Sequence, residues 1–113
     1  EKSFNLSIRI INLCKFLKNR KQEFLISKQL FRSGTNPGAM VREAVHAESS
    51  MDFIHKLAIG QKESQETLYW LELLYETEYI NEEEFQSLHN DTTEVIKLIT
   101  ASIITKKKNL KKR

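Results

Sequence analysis

Little in this chain breaks a helix. It has one Pro and three Gly in 113 residues. That is too few turn residues for a β-sandwich or barrel built of many short strands. The single cysteine, Cys14, cannot close an internal disulfide, which excludes a disulfide scaffold and points to a reducing compartment. No apolar run reaches the roughly 18 residues of a membrane span, and no secretory leader is visible. The expected location is cytoplasmic. Carboxylates are absent from Lys2 to Gln22 and again after Glu94, and both gaps bear on the metal question below.

What remains is an ordinary soluble composition, 40% apolar and 29% charged. At 113 residues the chain is one domain with a small core, and association would bury more surface. The formal charge of +3 is unevenly placed. Residues 106–113 (KKKNLKKR) hold six of the 18 basic residues and no acid. The body before them carries twelve basic against fifteen acidic residues, net −3. The basicity therefore belongs to the end of the chain.

Apolar periodicity predicts four helices. The first covers about Asn5–Arg20, with Leu6, Ile10, Leu13 and Leu17 inward and Ile11 and Cys14 widening the stripe. Arg9, Asn12, Lys15 and Lys18 fall on its other face. The second covers about Phe24–Ala47, through Leu30, Gly34, Pro37, Val41 and Ala44. The third covers about Ser50–Glu78, through Ile54, Leu57, Gln61, Ser64, Leu68, Leu71 and Tyr75. Asn81 and Glu84 form a capping box that opens the fourth, along Phe85, Leu88, Thr92, Val95, Ile99 and Ser102. Short connections make an all-α, antiparallel up-down-up-down four-helix bundle the simplest arrangement. The bundle is expected over residues 1–105, with a basic, disordered tail over 106–113.

The segment SGTNPG, residues 33–38, reads two ways. Its Gly, Asn and Pro are loop punctuation, and a Pro inside a helix costs about 3 kcal/mol. Yet the small and apolar positions keep helical phase across it, which favours a kinked continuous helix.

Ile59, Glu63, Glu66, Trp70 and Leu73 share one stripe of the third helix. Two carboxylates in an apolar line must be paired or hydrogen-bonded. A charge network that sets helix register is the favoured reading, with Arg32, Arg42 and Lys62 as candidate cations. A metal-dependent enzyme is the remote alternative. Glu43–His46 has the Glu-x-x-His spacing of di-iron bundles, and Asp52–His55 is a similar pair. A di-metal site also needs a carboxylate from each of the other two helices. The two carboxylate-free segments cannot supply them, so no metal and no cofactor is expected. Cys14 sits on an apolar side and reads as a small hydrophobe. GTNPG lacks the ending of a phosphate loop.

The stretch from Gln29 to Leu74, QLFRSGTNPGAMVREAVHAESSMDFIHKLAIGQKESQETLYWLELL, resembles a bacterial family of four-helix-bundle proteins. Some of its members are encoded in intervening sequences of large-subunit ribosomal RNA genes, and a related branch is the accessory protein of diversity-generating retroelements. The resemblance implies a helix through residues 33–38 and recurrent charged positions at Arg32, Glu43, Glu63 and Glu66. It also implies a homopentameric ring. Tyr69, Trp70 and Leu73, in a run apolar on more than one side, are the expected interface. Met40 stands where the family usually has Asn, which weakens transfer of any site there.

The expectation for function is binding without catalysis. The leading ligand is nucleic acid, in particular RNA, held by Lys106, Lys107, Lys108, Lys111, Lys112 and Arg113 and extended by Arg9, Lys15 and Lys18. Clustered cations bind polyanions without sequence preference, and several copies raise their effective concentration. The alternative is a protein-binding adaptor for a nucleic-acid enzyme such as a reverse transcriptase.

Overall fold

The computed structural model describes residues 1–112 and consists of four helices. They are α1 (Lys2–Arg20), α2 (Leu25–Val45), α3 (Ser50–Glu76) and α4 (Glu82–Lys111). Each helix packs on its neighbours in sequence, and α4 closes back on α1 through a thinner seam. The result is a rod of 53 × 22 × 19 Å.

The core is the common inward face of all four helices. Leu6, Ile10 and Leu17 from α1 meet Leu30 from α2, Leu71 and Leu74 from α3, and Val95 and Ile99 from α4. The α1–α4 seam is tied by ion pairs instead: Lys2 with Glu94 and Arg9 with Asp91, each at 2.6 Å.

The helix ends are built by local chemistry. After α1, Gln22 takes a left-handed conformation with φ 56°. The Glu23 backbone N–H then donates back to the Leu17 carbonyl at 3.0 Å. The Glu23 carboxylate is buried and accepts from the N–H groups of Leu25, Ile26 and Ser27 at 3.2, 2.9 and 2.7 Å. A negative group on three orphan donors at a helix start satisfies both hydrogen bonding and the dipole. At α3, Ser49 accepts from the Asp52 N–H at 3.0 Å. Asn81 and Glu84 form the expected capping box of α4.

Residues 33–38 lie inside α2, so the chain stays helical through Pro37. Proline has no N–H to give the Ser33 carbonyl, and Pro37 itself is buried in the bundle. Gly34 lets α1 approach: a Cβ there would sit 2.8 Å from Ile10 side-chain carbons. Gly60 on α3 does the same for Met40, at 3.2 Å.

Two details differ from the periodicity reading. The buried face of α3 includes Gly60, Glu63, Thr67 and Leu74, while Ile54, Gln61, Leu68 and Tyr75 are only half-buried. This helix packs between α2 and α4, and Gly60 faces both: a Cβ there would meet Met40 and Pro37 on one side and Ile99 on the other. The second concerns the chain end. Residues 106–111 are helical and not the disordered tail that the lysine run suggests. Lys106 lays its ammonium 4.7 Å from the centre of the Phe53 ring, which docks the extension on α3. Cations in a last turn also suit the helix dipole.

Candidate charge network and basic helix end

Arg32 on α2 faces two carboxylates one helical turn apart on α3. Its Nη1 donates to Glu63 Oε1 at 2.6 Å, and its Nη2 donates to Glu66 Oε2. The Trp70 indole N–H donates to that same Glu66 oxygen at 2.9 Å. Beneath, the Thr67 hydroxyl bridges to the Ser33 hydroxyl at 3.1 Å and to the Glu63 carbonyl at 3.0 Å. Spacing explains the arrangement. Glu63, Glu66, Thr67 and Trp70 are three and four apart and share a helix face. Small Ser33 and Thr67 bring α2 and α3 close enough for Arg32 to span them.

The Glu63 side chain is 11% exposed, against 51% for Arg32 and 32% for Glu66. The network is therefore buried at one end and open to water at the other. Both carboxylates accept from Arg32, and Glu66 accepts from Trp70 as well. The arrangement ties α2 to α3 through two charge-assisted hydrogen bonds from one arginine.

Glu43 is not part of this network. It pairs with Lys56 at 3.2 Å, nearer the opposite end of α2. Arg42 lies 5.9 Å from the centre of the Phe4 ring. The remaining Glu-x-x-His residues are engaged elsewhere or exposed. Asp52 accepts from the Glu48 N–H at 3.3 Å in the α3 cap, and His46 and His55 are exposed. Among the described residues no three His, Cys, Asp or Glu side chains converge. Cys14 donates to the Ser27 carbonyl at 3.3 Å. Burial pushes its pKa up to about 11, so it remains a thiol at neutral pH.

The basic residues divide into two sets. Lys107, Lys108 and Lys111 are exposed on the last turns of α4, Lys106 lies over Phe53, and Lys112 caps the helix. Arg113 lies outside the described residues. Lys15 and Lys18 are exposed on α1, whereas Arg9 is committed to Asp91. Tyr69 is exposed, and its ring packs edge-on against Trp70 at 4.9 Å. Trp70 and Leu73 are half-buried.

Sequence reasoning missed the Glu23 cap. Its signal was there: α2 starts without Ser, Thr, Asp or Asn, and Glu23 stands just before its first turn. It also missed Asp91 and Glu94, because their partners lie 82 and 92 positions away.

An antiparallel four-helix bundle, stitched by an Arg–Glu–Glu network and ending in a lysine-rich helix, defines the class. The 23S rRNA-intervening sequence protein family matches residues 1–101, and this chain belongs to that family. A solved structure from the S23 ribosomal protein family of Bacteroides thetaiotaomicron, a protein of unknown function, is 54% identical. It aligns over 90% of this chain and 94% of its own with a TM-score of 0.89. No curated protein matches.

Proposed function

We propose that this chain is a non-enzymatic, self-associating bundle that binds RNA through the C-terminal end of α4. The carrying observation is the separation of charge. The body before residue 106 is net −3, and every cation of the terminal run sits beyond it. Lys107, Lys108 and Lys111 are exposed on helix, so these cations stand at the opposite end of α4 from Glu82, Glu83 and Glu84. Phosphate attraction dominates such binding. The ribosomal name carried by the solved relative supports an RNA ligand over other polyanions.

The ring of five copies implied by the family resemblance would set five such helix ends side by side, with Tyr69, Trp70 and Leu73 at the contact. The unpaired Cys14 suits a cytoplasmic setting. Among the described residues no helix is long and apolar enough to cross a membrane. The charge network takes a structural role in this reading.

The test is binding to a labelled single-stranded RNA across a salt series, read by fluorescence anisotropy. Binding that weakens steeply with salt supports the proposal. A protein that leaves the RNA free at low salt contradicts it. A second reading, an adaptor for a nucleic-acid enzyme, is favoured by the exposed apolar side chains Phe4 and Ile8 on α1.

A further inference from the structure

A groove runs along the basic end of α4. Leu98, Ser102, Thr105 and Asn109 repeat at 4-3-4 and fall in one line on the helix. Phe53 meets them from α3, and the Lys106 ammonium stands 4.7 Å from the centre of its ring. Together they line a depression of about 360 Å³. Phe53 is half-buried, and Ser102, Thr105 and Asn109 are exposed.

Three chemistries meet in this space. An aromatic ring accepts any nucleobase, because every base has a π-face. The hydroxyls of Ser102 and Thr105 and the amide of Asn109 supply both donors and acceptors. Lys106 is part of the groove, and Lys107, Lys108 and Lys111 are exposed on the turns beside and beyond it. The ring and the polar line match a base, and the cations match the phosphates joined to it. A base within a duplex has both faces stacked and its edge paired, so it has nothing to offer such a groove.

We infer that this groove takes one unpaired nucleobase of the bound RNA, stacked on Phe53, while the neighbouring lysines hold its phosphates. The inference rests on the RNA binding proposed above. It adds that the ligand is single-stranded at this point and that part of the affinity does not come from charge. Charge alone gives the opposite preference, because a duplex packs more phosphate into each length of helix.

The test compares a single-stranded RNA with a duplex of the same sequence, by fluorescence anisotropy over a salt series. The wild-type protein should bind the single strand more tightly. Phe53→Leu removes the ring and keeps an apolar side chain. It should weaken single-strand binding by about 5- to 100-fold, the size of one base–aromatic stack. The factor should be the same at every salt concentration, so the slope of log affinity against log salt stays unchanged. Duplex binding should not move. Phe53 also packs against the core, so a second variant at an exposed position repeats the test. Thr105→Leu fills the groove without changing charge, and it too should weaken the single strand alone. Retained helicity by circular dichroism checks both folds. Salt-dependent binding that favours the duplex and survives both substitutions overturns the groove and leaves the RNA reading standing. An RNA left free at low salt overturns that reading, and the groove with it.

Discussion

Arg32 holds Glu63 at 2.6 Å, and the side chain exposure falls from 51% at the arginine to 11% at the glutamate. Removing Arg32 and removing Glu66 from this network are therefore unequal. Left alone, Arg32 can rehydrate, whereas Glu63 cannot. Arg32→Ala should destabilise by about 2–3 kcal/mol, as expected when a mostly buried charge loses its partner. Glu66→Ala should cost less, about 1 kcal/mol, because Glu66 is already partly solvated. Urea denaturation measures both. The fluorescence of Trp70, the only tryptophan, should shift in Glu66→Ala as the indole loses its acceptor. Equal costs for the two substitutions would contradict the gradient of burial.

Gly34 carries the approach of α1 to α2. A methyl group there meets Ile10 carbons at 2.8 Å, and at Gly60 it meets the Met40 Cβ at 3.2 Å. Gly34→Ala should therefore destabilise by about 1–3 kcal/mol as overpacking. Gly60→Ala should cost less, because its contact needs a smaller shift. Urea midpoints in the reverse order would show that α1 moves away more easily than the packing implies.

Glu78 closes α3 in a left-handed conformation with φ 67°. The Tyr79 N–H reaches the Leu74 carbonyl at 2.9 Å, and the Glu78 N–H reaches the Tyr75 carbonyl at 3.0 Å. A left-handed non-glycine residue costs about 1–2 kcal/mol, and glycine recovers part of it after its own entropy loss. Glu78→Gly should raise stability by about 0.5–1 kcal/mol in thermal or urea unfolding. A loss of stability would mean that the Glu78 side chain contributes more than its backbone costs.

Burial raises the Cys14 pKa from 9.0 to about 11. The folded value lies above the unfolded one, so the neutral thiol favours the fold. That contribution is complete below pH 9 and is lost as pH rises through 11. Stability should fall over this window, and Cys14→Ala should show a shallower fall. At pH 8 a thiol reagent should react only as fast as the chain opens.

The architecture was legible because three helices keep a clean apolar phase. Leu6–Ile10–Leu13–Leu17 and Leu88–Thr92–Val95–Ile99 are buried where the spacing puts them. The third helix was harder. Apolar side chains lie most of the way round it, so periodicity leaves its rotation open by about one position. Gly60 and Thr67, two small residues, decide it by letting α2 come close. Arg32 with Glu63 and Glu66 was readable as carboxylates in an apolar stripe that needed a cation. Glu43 was not separable from them, since sequence does not show that Lys56 stands opposite. The lysine run looked like a tail because composition does not reveal that Phe53 offers Lys106 a docking site.

RNA affinity is expected to reside at the end of α4. The most direct test compares the full chain with one ending at Thr105, on the same single-stranded RNA and over the same salt series. The shortened chain keeps every core residue through Ile103, so its fold and its oligomeric state should be retained. Each phosphate contact contributes about −0.7 to the slope of log affinity against log salt for single strands. The full chain should show a slope of up to about −4 if all six terminal cations engage. The shortened chain, net −3, should lose most of that slope and most of its binding. Equal affinity and equal slope in the two proteins would contradict the claim and move the site onto the bundle, with Lys15 and Lys18 as the cations to replace first.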